Sequence, residues 1–284
     1  MSPILLLTHP SHVILPSDEA ATRSVMCYLT RSGLPYRVDR IMNADSCSPD
    51  HLLPVTIVNG FIETGYTSLC LRLKTLKANK SLDFDMMRLS SRNLKHTYIF
   101  WISDLLRNIM LYFTWLHETT YNNFTYKRLE ASTRCLLITQ FIARRKRKQH
   151  TDFLKSINWD KRSIGDISKD MEALCVSVVE LLGSGPFLFE SDSPGKADAL
   201  LYGYWTVFYE FSEYFNALKP IMDKYSTISD LVQRIAEHNM GVDFTYSLVE
   251  TRQLAKTKVV ACVWSPRTDL IALGSSNGCI SVHR

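Results

Sequence analysis

The sequence predicts two bodies of different class in succession, a small mixed α/β layer and then an all-helical bundle. Three observations carry that expectation. Between Val13 and Ala78, short extended runs alternate with helical ones. From Leu94 to Met240, apolar residues recur at three-and-four spacing, the period of amphipathic helices. Within that second stretch a helix stops at Gly183, an apolar Pro186-Phe187-Leu188-Phe189 follows, and after a Ser/Asp/Pro/Gly turn a new helix opens on Asp198. A chain of 284 residues, 46% hydrophobic and 21% charged, has an ordinary globular composition and enough length to bury a core.

In the first body, Val13-Ile14-Leu15 reads as a short buried strand, and Ser17-Asp18-Glu19 as a helix start with a capping hydroxyl and acids in the first turn. Gly33 ends that helix, and Pro35 to Ile41 alternates as a second strand, which makes a parallel crossover unit. Pro54-Val55-Thr56-Ile57-Val58 and Phe61-Ile62-Glu63 form a hairpin across Asn59-Gly60, whose residues accept the positive φ of a tight turn. Pro54, heading the third strand, is a candidate for a cis peptide bond. A helix from Tyr66 to Ala78 completes a βαβ, ββ, α order, that of a thioredoxin-like domain.

In the second body, Leu94, Tyr98, Trp101, Leu105, Ile109, Tyr112 and Leu116 share one helical face. The most apolar long window, Thr97 to Leu116, contains Asp104, Arg107 and Asn108, so it predicts a core helix and not a membrane span. Further helices are expected over 126–147, 153–182, 198–218 and 228–238. Ile164, Ile167, Met171, Leu174, Val178, Leu181 and Leu182 line the buried side of the third. Asp198 in a first helical turn completes free amide donors and opposes the helix dipole.

Seven scattered cysteines without a C-x-x-C pair argue against a disulfide framework and for a reducing compartment. The apolar run Ile4 to Leu7 is short and has no basic leader, so no targeting peptide and no intrinsic membrane anchor are expected. Neither a metal-ligand spacing nor a phosphate-cradling glycine loop is present, and no metal or cofactor is expected.

The order helix, Pro-Phe-Leu-Phe, turn, Asp-Ala-Leu helix resembles the C-terminal half of the glutathione-transferase superfamily. Ser156-Ile157-Asn158-Trp159-Asp160-Lys161-Arg162-Ser163-Ile164 is similar to the Trp and basic-pair signature of the metaxins, and Tyr202-Gly203-Tyr204 falls where that family has a residue, Gly and His. The resemblance spans about residues 13–240 and points to the metaxin 2 branch, with Gly195 where a Thr or Ser cap is usual and Tyr204 in place of the His. It marks Trp159, Asp198 and Gly203 as structural motif residues. It implies a thioredoxin-like domain over 1–80, an all-helical glutathione-transferase C-terminal-like domain over 81–240 and a non-enzymatic role. The implied partners are a membrane-anchored metaxin 1-like protein, the β-barrel subunit of the sorting and assembly machinery, and precursor proteins. The implied place is peripheral, on the cytosolic face of the mitochondrial outer membrane.

Enzymes of the superfamily hold glutathione at positions matched here by Ser17, Leu53, Pro54, Glu63 and Thr64, which are therefore candidates for a vestigial peptide-thiol site. Ser is also a common helix cap, and each of these elements serves the fold whether or not a ligand binds. An active glutathione-dependent transferase is the alternative. The run Arg144-Arg145-Lys146-Arg147-Lys148 circles more than one helical turn and is expected to be largely solvated. It is a candidate contact for an anionic membrane surface. No stacking platform or groove-reading motif accompanies it, so nucleic acid is not an expected partner.

Residues 241–284 leave the helical period for Val259 to Pro266, Asp269 to Leu273 and Cys279 to His283, with Asn277-Gly278 as a turn. They resemble the first WD-repeat strands of the fourth subunit of the anaphase-promoting complex, and a cell-cycle scaffold fragment is a third functional reading. A propeller closes only with several blades. The tail therefore reads as a truncated or fused piece, poorly ordered and not an independent domain.

Overall fold

Strands β1 (Ile4–Thr8), β2 (Tyr36–Arg40), β3 (Val55–Val58) and β4 (Phe61–Thr64) form one mixed sheet in the order β2-β1-β3-β4. β1 pairs parallel with β2 and antiparallel with β3, and β3 pairs antiparallel with β4. The computed structural model describes residues 4–42, 44–48, 50–75, 89–133, 136–240, 259–264, 271–275 and 280–283. They fall in two units, Met1–Asp243 and Phe244–Arg284.

The first strand is Ile4–Thr8, and Val13-Ile14-Leu15, expected as that strand, is a buried connection whose Val13 and Ile14 amides bond to the Pro10 carbonyl. Although burial along β1 alternates, its Leu5 and Leu7 on the less buried face are as apolar as their neighbours, so the Ile4 to Leu7 run carries no polar alternation to mark it as a strand. Helix α1 (Pro16–Arg31) crosses from β1 to β2. Its cap is Leu15, with Pro16 in the first position, so Ser17 is inside the helix and not its cap. Gly33, at φ 63°, follows its end. The β3–β4 turn places Asn59 and Gly60 at φ 49° and 82°, and the Leu53–Pro54 bond is cis.

Helix α2 (Gly65–Thr75) follows β4; the rest of the expected helix to Ala78 and the proposed domain boundary near residue 80 lie outside the described residues. The bundle starts with α3 (Leu89–Leu111), which buries Ile102, Leu106, Ile109 and Met110 and runs into a π-helical turn over Tyr112–Leu116. No helix among the described residues is long and apolar enough to cross a membrane. A single turn, α4 (Glu118–Thr120), and a second π-helical turn, Tyr121–Thr125, lead into α5 (Tyr126–Ser132).

Three expected helices are each divided. The 126–147 segment is α5 and α6 (Leu136–Ser156), parted where Thr133 turns extended and the hydroxyls of Ser132 and Thr133 donate back to the Leu129 carbonyl at 2.6 and 3.4 Å. Such bonds compete with helix continuation. The 153–182 segment breaks at Asn158, whose φ is 59°, passes a 3-10 turn over Trp159–Lys161, and restarts as α7 (Ile164–Leu182). Ser163 and Asp166 cap α7 reciprocally, at 3.1 and 3.0 Å. The 198–218 segment is α8 (Lys196–Glu210) followed by turns to Leu218, then α9 (Lys219–Lys224) and α10 (Ser226–Met240).

Three motif residues lie at the joints of this framework. Asp198, 1% exposed, accepts from the Gly195 amide at 2.8 Å and the Leu188 amide at 3.0 Å, tying the Pro-Phe-Leu-Phe loop to the start of α8. Gly203 lets α8 lie directly on α1, because a Cβ there would sit 2.1 Å from Ser24 Oγ and 2.4 Å from the Ala20 carbonyl oxygen. Trp159 is buried, with the Arg162 guanidinium 4.8 Å over its ring and paired to Asp170.

In the second unit, β5 (Val259–Trp264), β6 (Ile271–Ser275) and β7 (Ile280–His283) form a three-stranded antiparallel sheet in sequence order. The strand rhythm of the tail is present; the Asn277-Gly278 turn lies outside the described residues.

Candidate functional site

A cleft of about 1060 Å³ opens between the α/β layer and the bundle. Its polar groups come from both sides. His9, Ser17, Asp18 and Asp45 contribute from the loops and helix beside the sheet, and Arg107, Arg145, Lys146, His150 and Tyr204 from α3, α6 and α8. Its apolar lining includes Met42, Leu71, Phe100 and Phe141, each of which is also exposed to solvent.

Of the predicted thiol-site residues, Ser17, Leu53, Glu63 and Thr64 line this cleft, and Pro54 adjoins Leu53 through the cis bond. Two of the polar ones have partners within the chain. The Thr64 hydroxyl donates to Asp50 at 2.8 Å. Glu63 accepts from Arg72 at 2.7 Å and from the Ser68 hydroxyl. Burial acts to raise the Asp50 pKa, yet hydrogen bonds from Ser48, Thr64 and the Leu52 amide hold it below the ordinary range.

The strongest electrostatics lie in a cluster of His9, Asp18, Asp45 and Lys146 that the sequence did not assemble; only Lys146 and Asp18 were named there, in other roles. Asp45 accepts from Lys146 at 2.8 Å and lies 3.4 Å from His9 Nε2, joining the α/β layer to α6. Burial works to raise its pKa, but the hydrogen bonds and charge of His9 and Lys146 hold it well below the usual carboxylate range. Asp18 is pushed up to about 6, chiefly by burial, against the opposing charges of His9 and Lys146. His150, stacked on Trp115 at 4.5 Å, is pushed down to about 4 by burial and by the cations Lys146 and Arg107. Burial raises the Tyr204 hydroxyl. Asp18 had a sequence signal, but it read as a first-turn acid serving the helix dipole. His9, Asp45 and Lys146 are brought together only by the tertiary fold.

The basic run divides. Arg144, Arg145 and Lys148 are exposed, whereas Lys146 pairs with Asp45 and Arg147 pairs with Glu118 at 2.8 Å and lies 3.8 Å over the Tyr121 ring. The expectation of a largely solvated run is thus corrected for two of its five residues, because a helix packed on one side must turn part of any continuous run inward. No metal-holding group of His, Cys, Asp or Glu occurs among the described residues.

Residues 23–142 match the family Tom37, described as an outer mitochondrial membrane transport complex protein. Human metaxin-2 is 24% identical over 225 residues, covering 79% of this chain and 84% of the relative. A metaxin-2 homolog of Caenorhabditis elegans is 25% identical over 191 residues, covering 66% of this chain and 79% of the relative. The chain is metaxin-2-like, on a glutathione-transferase-like fold. The fold likeness extends to two glutathione S-transferases of Ceriporiopsis subvermispora, each solved in complex with glutathione. CsGST83044 has a TM-score of 0.51 at 14% identity, covering 85% of this chain and 99% of that one. CsGST63524 has 0.50 at 15%, covering 85% and 98%. At such identities the likeness concerns the fold alone, and the metaxin likeness carries the functional argument.

Proposed function

We propose that this chain is a non-enzymatic subunit of a mitochondrial outer-membrane protein transport complex. It sits peripherally on the cytosolic face, held by a membrane-anchored metaxin 1-like partner. There it serves protein import and the insertion of β-barrel precursors together with the β-barrel subunit of the sorting and assembly machinery. The metaxin-2 likeness across 79% of the chain supports the transport role. One observation supports the absence of thiol chemistry: the Thr64 hydroxyl and the Glu63 carboxylate, where a glutathione peptide would need partners, are engaged by Asp50, Ser68 and Arg72. The test is fractionation of cells with and without carbonate extraction. This reading expects the chain in the mitochondrial fraction and its release by carbonate; purely cytosolic protein opposes it.

The second reading, a glutathione-dependent transferase, is favoured by Ser17 lining the cleft together with Leu53 of the cis peptide. Retention on immobilised glutathione that is lost on Ser17→Ala or Thr64→Val supports that alternative.

A further inference from the structure

Helix α6 keeps its exposed residues on one stripe. Leu137, Ile138 and Phe141 are 77%, 53% and 68% exposed, the most solvated apolar group close together in the described sequence. Arg144, Arg145 and Lys148 follow on the same side and are exposed. At 3.6 residues per turn these six positions fall within an arc of about 120°, while Thr139, Ala143 and Leu154, each nearly inaccessible, lie opposite. Lys146 and Arg147 are drawn inward by Asp45 and Glu118, but the three stripe cations have no ion pair among the described residues. The exposed face carries one acid, Asp152, against Arg144, Arg145, Lys148 and Lys155.

Large apolar side chains left in water beside unpaired charges of one sign need an explanation beyond folding. A packing partner of ordinary surface would cover the apolar group but leave the cations without counter-charge. An anionic bilayer surface meets both needs, because phosphates attract the cations while the boundary of the acyl chains takes the apolar residues. The arrangement agrees. The six positions share one face of α6, as in a helix lying in the interface plane whose apolar face sinks about 5–10 Å into the headgroup and acyl boundary. The long stems of Arg and Lys let their charges reach outward as the apolar residues sink in.

The geometry points to the outer stripe of α6 as a membrane-contact surface for anionic lipid, with Leu137, Ile138 and Phe141 inserted and Arg144, Arg145 and Lys148 at the headgroups. It deepens the peripheral location proposed above and rests on that reading for which membrane is met. Lys146 and Arg147 are excluded from the contact.

The test is co-sedimentation of the full chain with vesicles of phosphatidylcholine alone or mixed equally with phosphatidylserine, at low and physiological salt. Binding to the mixed vesicles only, weakened by salt, is expected. Arg144→Gln with Arg145→Gln should lower partition by about tenfold or more, since two cations leave the headgroup region. Lys169→Gln with Lys219→Gln removes equal charge from exposed sites on other elements and should leave partition nearly unchanged. Leu137→Ser, Ile138→Ser and Phe141→Ser together should abolish binding at physiological salt while the circular dichroism spectrum stays that of the parent. No binding to mixed vesicles, equal loss in the two charge variants, or full binding by the serine variant overturns the proposal. A chain found on mitochondria that ignores vesicles removes this inference and leaves the functional reading; a vesicle-binding chain absent from mitochondria does the reverse.

Discussion

The seam between α1 and α8 and the outer stripe of α6 are built on opposite terms. At the seam the close contacts are matched: Gly203 leaves room for the Ala20 carbonyl, the Ser24 hydroxyl is shared between the carbonyls of Ala20 and Leu200 at 2.8 and 3.2 Å, and at the start of α8 Asp198 accepts from two backbone amides of the preceding loop. On the stripe, three large apolar side chains are more than half exposed and three cations have no ion pair among the described residues, although Phe141 and Arg145 also border the cleft. The seam holds the two bodies together, and its residues are explained by stability alone. The stripe contributes little to stability, so its composition has to be explained by something outside the chain.

The largest effect should come from Gly203→Ala. The new methyl meets a hydroxyl and a backbone carbonyl that have little freedom to retreat, so a loss of about 3 kcal/mol is expected in chemical denaturation, the upper end for overpacked sites. A loss near zero would mean the helices can part, and the contrast with the stripe would fail. Asp198→Ala should cost about 2 kcal/mol, because two buried amides lose their charged acceptor; Asp198→Asn should recover part of it.

Asp18, in the cleft between these extremes, gives an effect with a defined pH window. Its folded pKa of about 6 lies above its unfolded value near 3.8, so between them the folded state binds more protons and stability falls as pH rises. Asp18→Asn should therefore stabilise the protein at pH 7 by on the order of 1 to 2 kcal/mol, with the gain vanishing as pH falls toward about 4. Asp45 has the opposite sign, since its lowered pKa adds stability above the ordinary carboxylate range that is lost as acid protonates it. Thermal melts across pH would separate the two; a pH-independent gain in Asp18→Asn would contradict the buried-acid assignment. The smallest effect is expected on the stripe, where Phe141→Ser should change stability by less than about 0.5 kcal/mol.

The architecture was legible where local chemistry and tertiary environment agree. The Asn59-Gly60 turn, the cis Pro54 and the Asp198 start of α8 each carry a residue type that few other conformations use. Errors arose where context prevails. A strand whose two faces are both apolar in sequence looks like any short apolar run, which hid Ile4–Thr8 and made Val13-Ile14-Leu15 the substitute. The breaks at Thr133 and Asn158 fall inside segments that read as continuous helices, because neither Thr nor Asn carries the unambiguous stop signal of Gly or Pro. The cleft was half legible: superfamily likeness located Ser17, Leu53, Glu63 and Thr64. The Asp45, Lys146 and His9 cluster joins residues far apart in sequence, and no local pattern announces it.

The central proposal is that the cleft of this glutathione-transferase-like fold has Asp45, Glu63 and Thr64 engaged within the chain and serves no thiol chemistry. Titration calorimetry of the full chain with reduced glutathione tests it most directly. The account predicts no saturable heat and no retention on immobilised glutathione. Saturable one-to-one binding that disappears in Ser17→Ala, with the fold intact by circular dichroism, would contradict it.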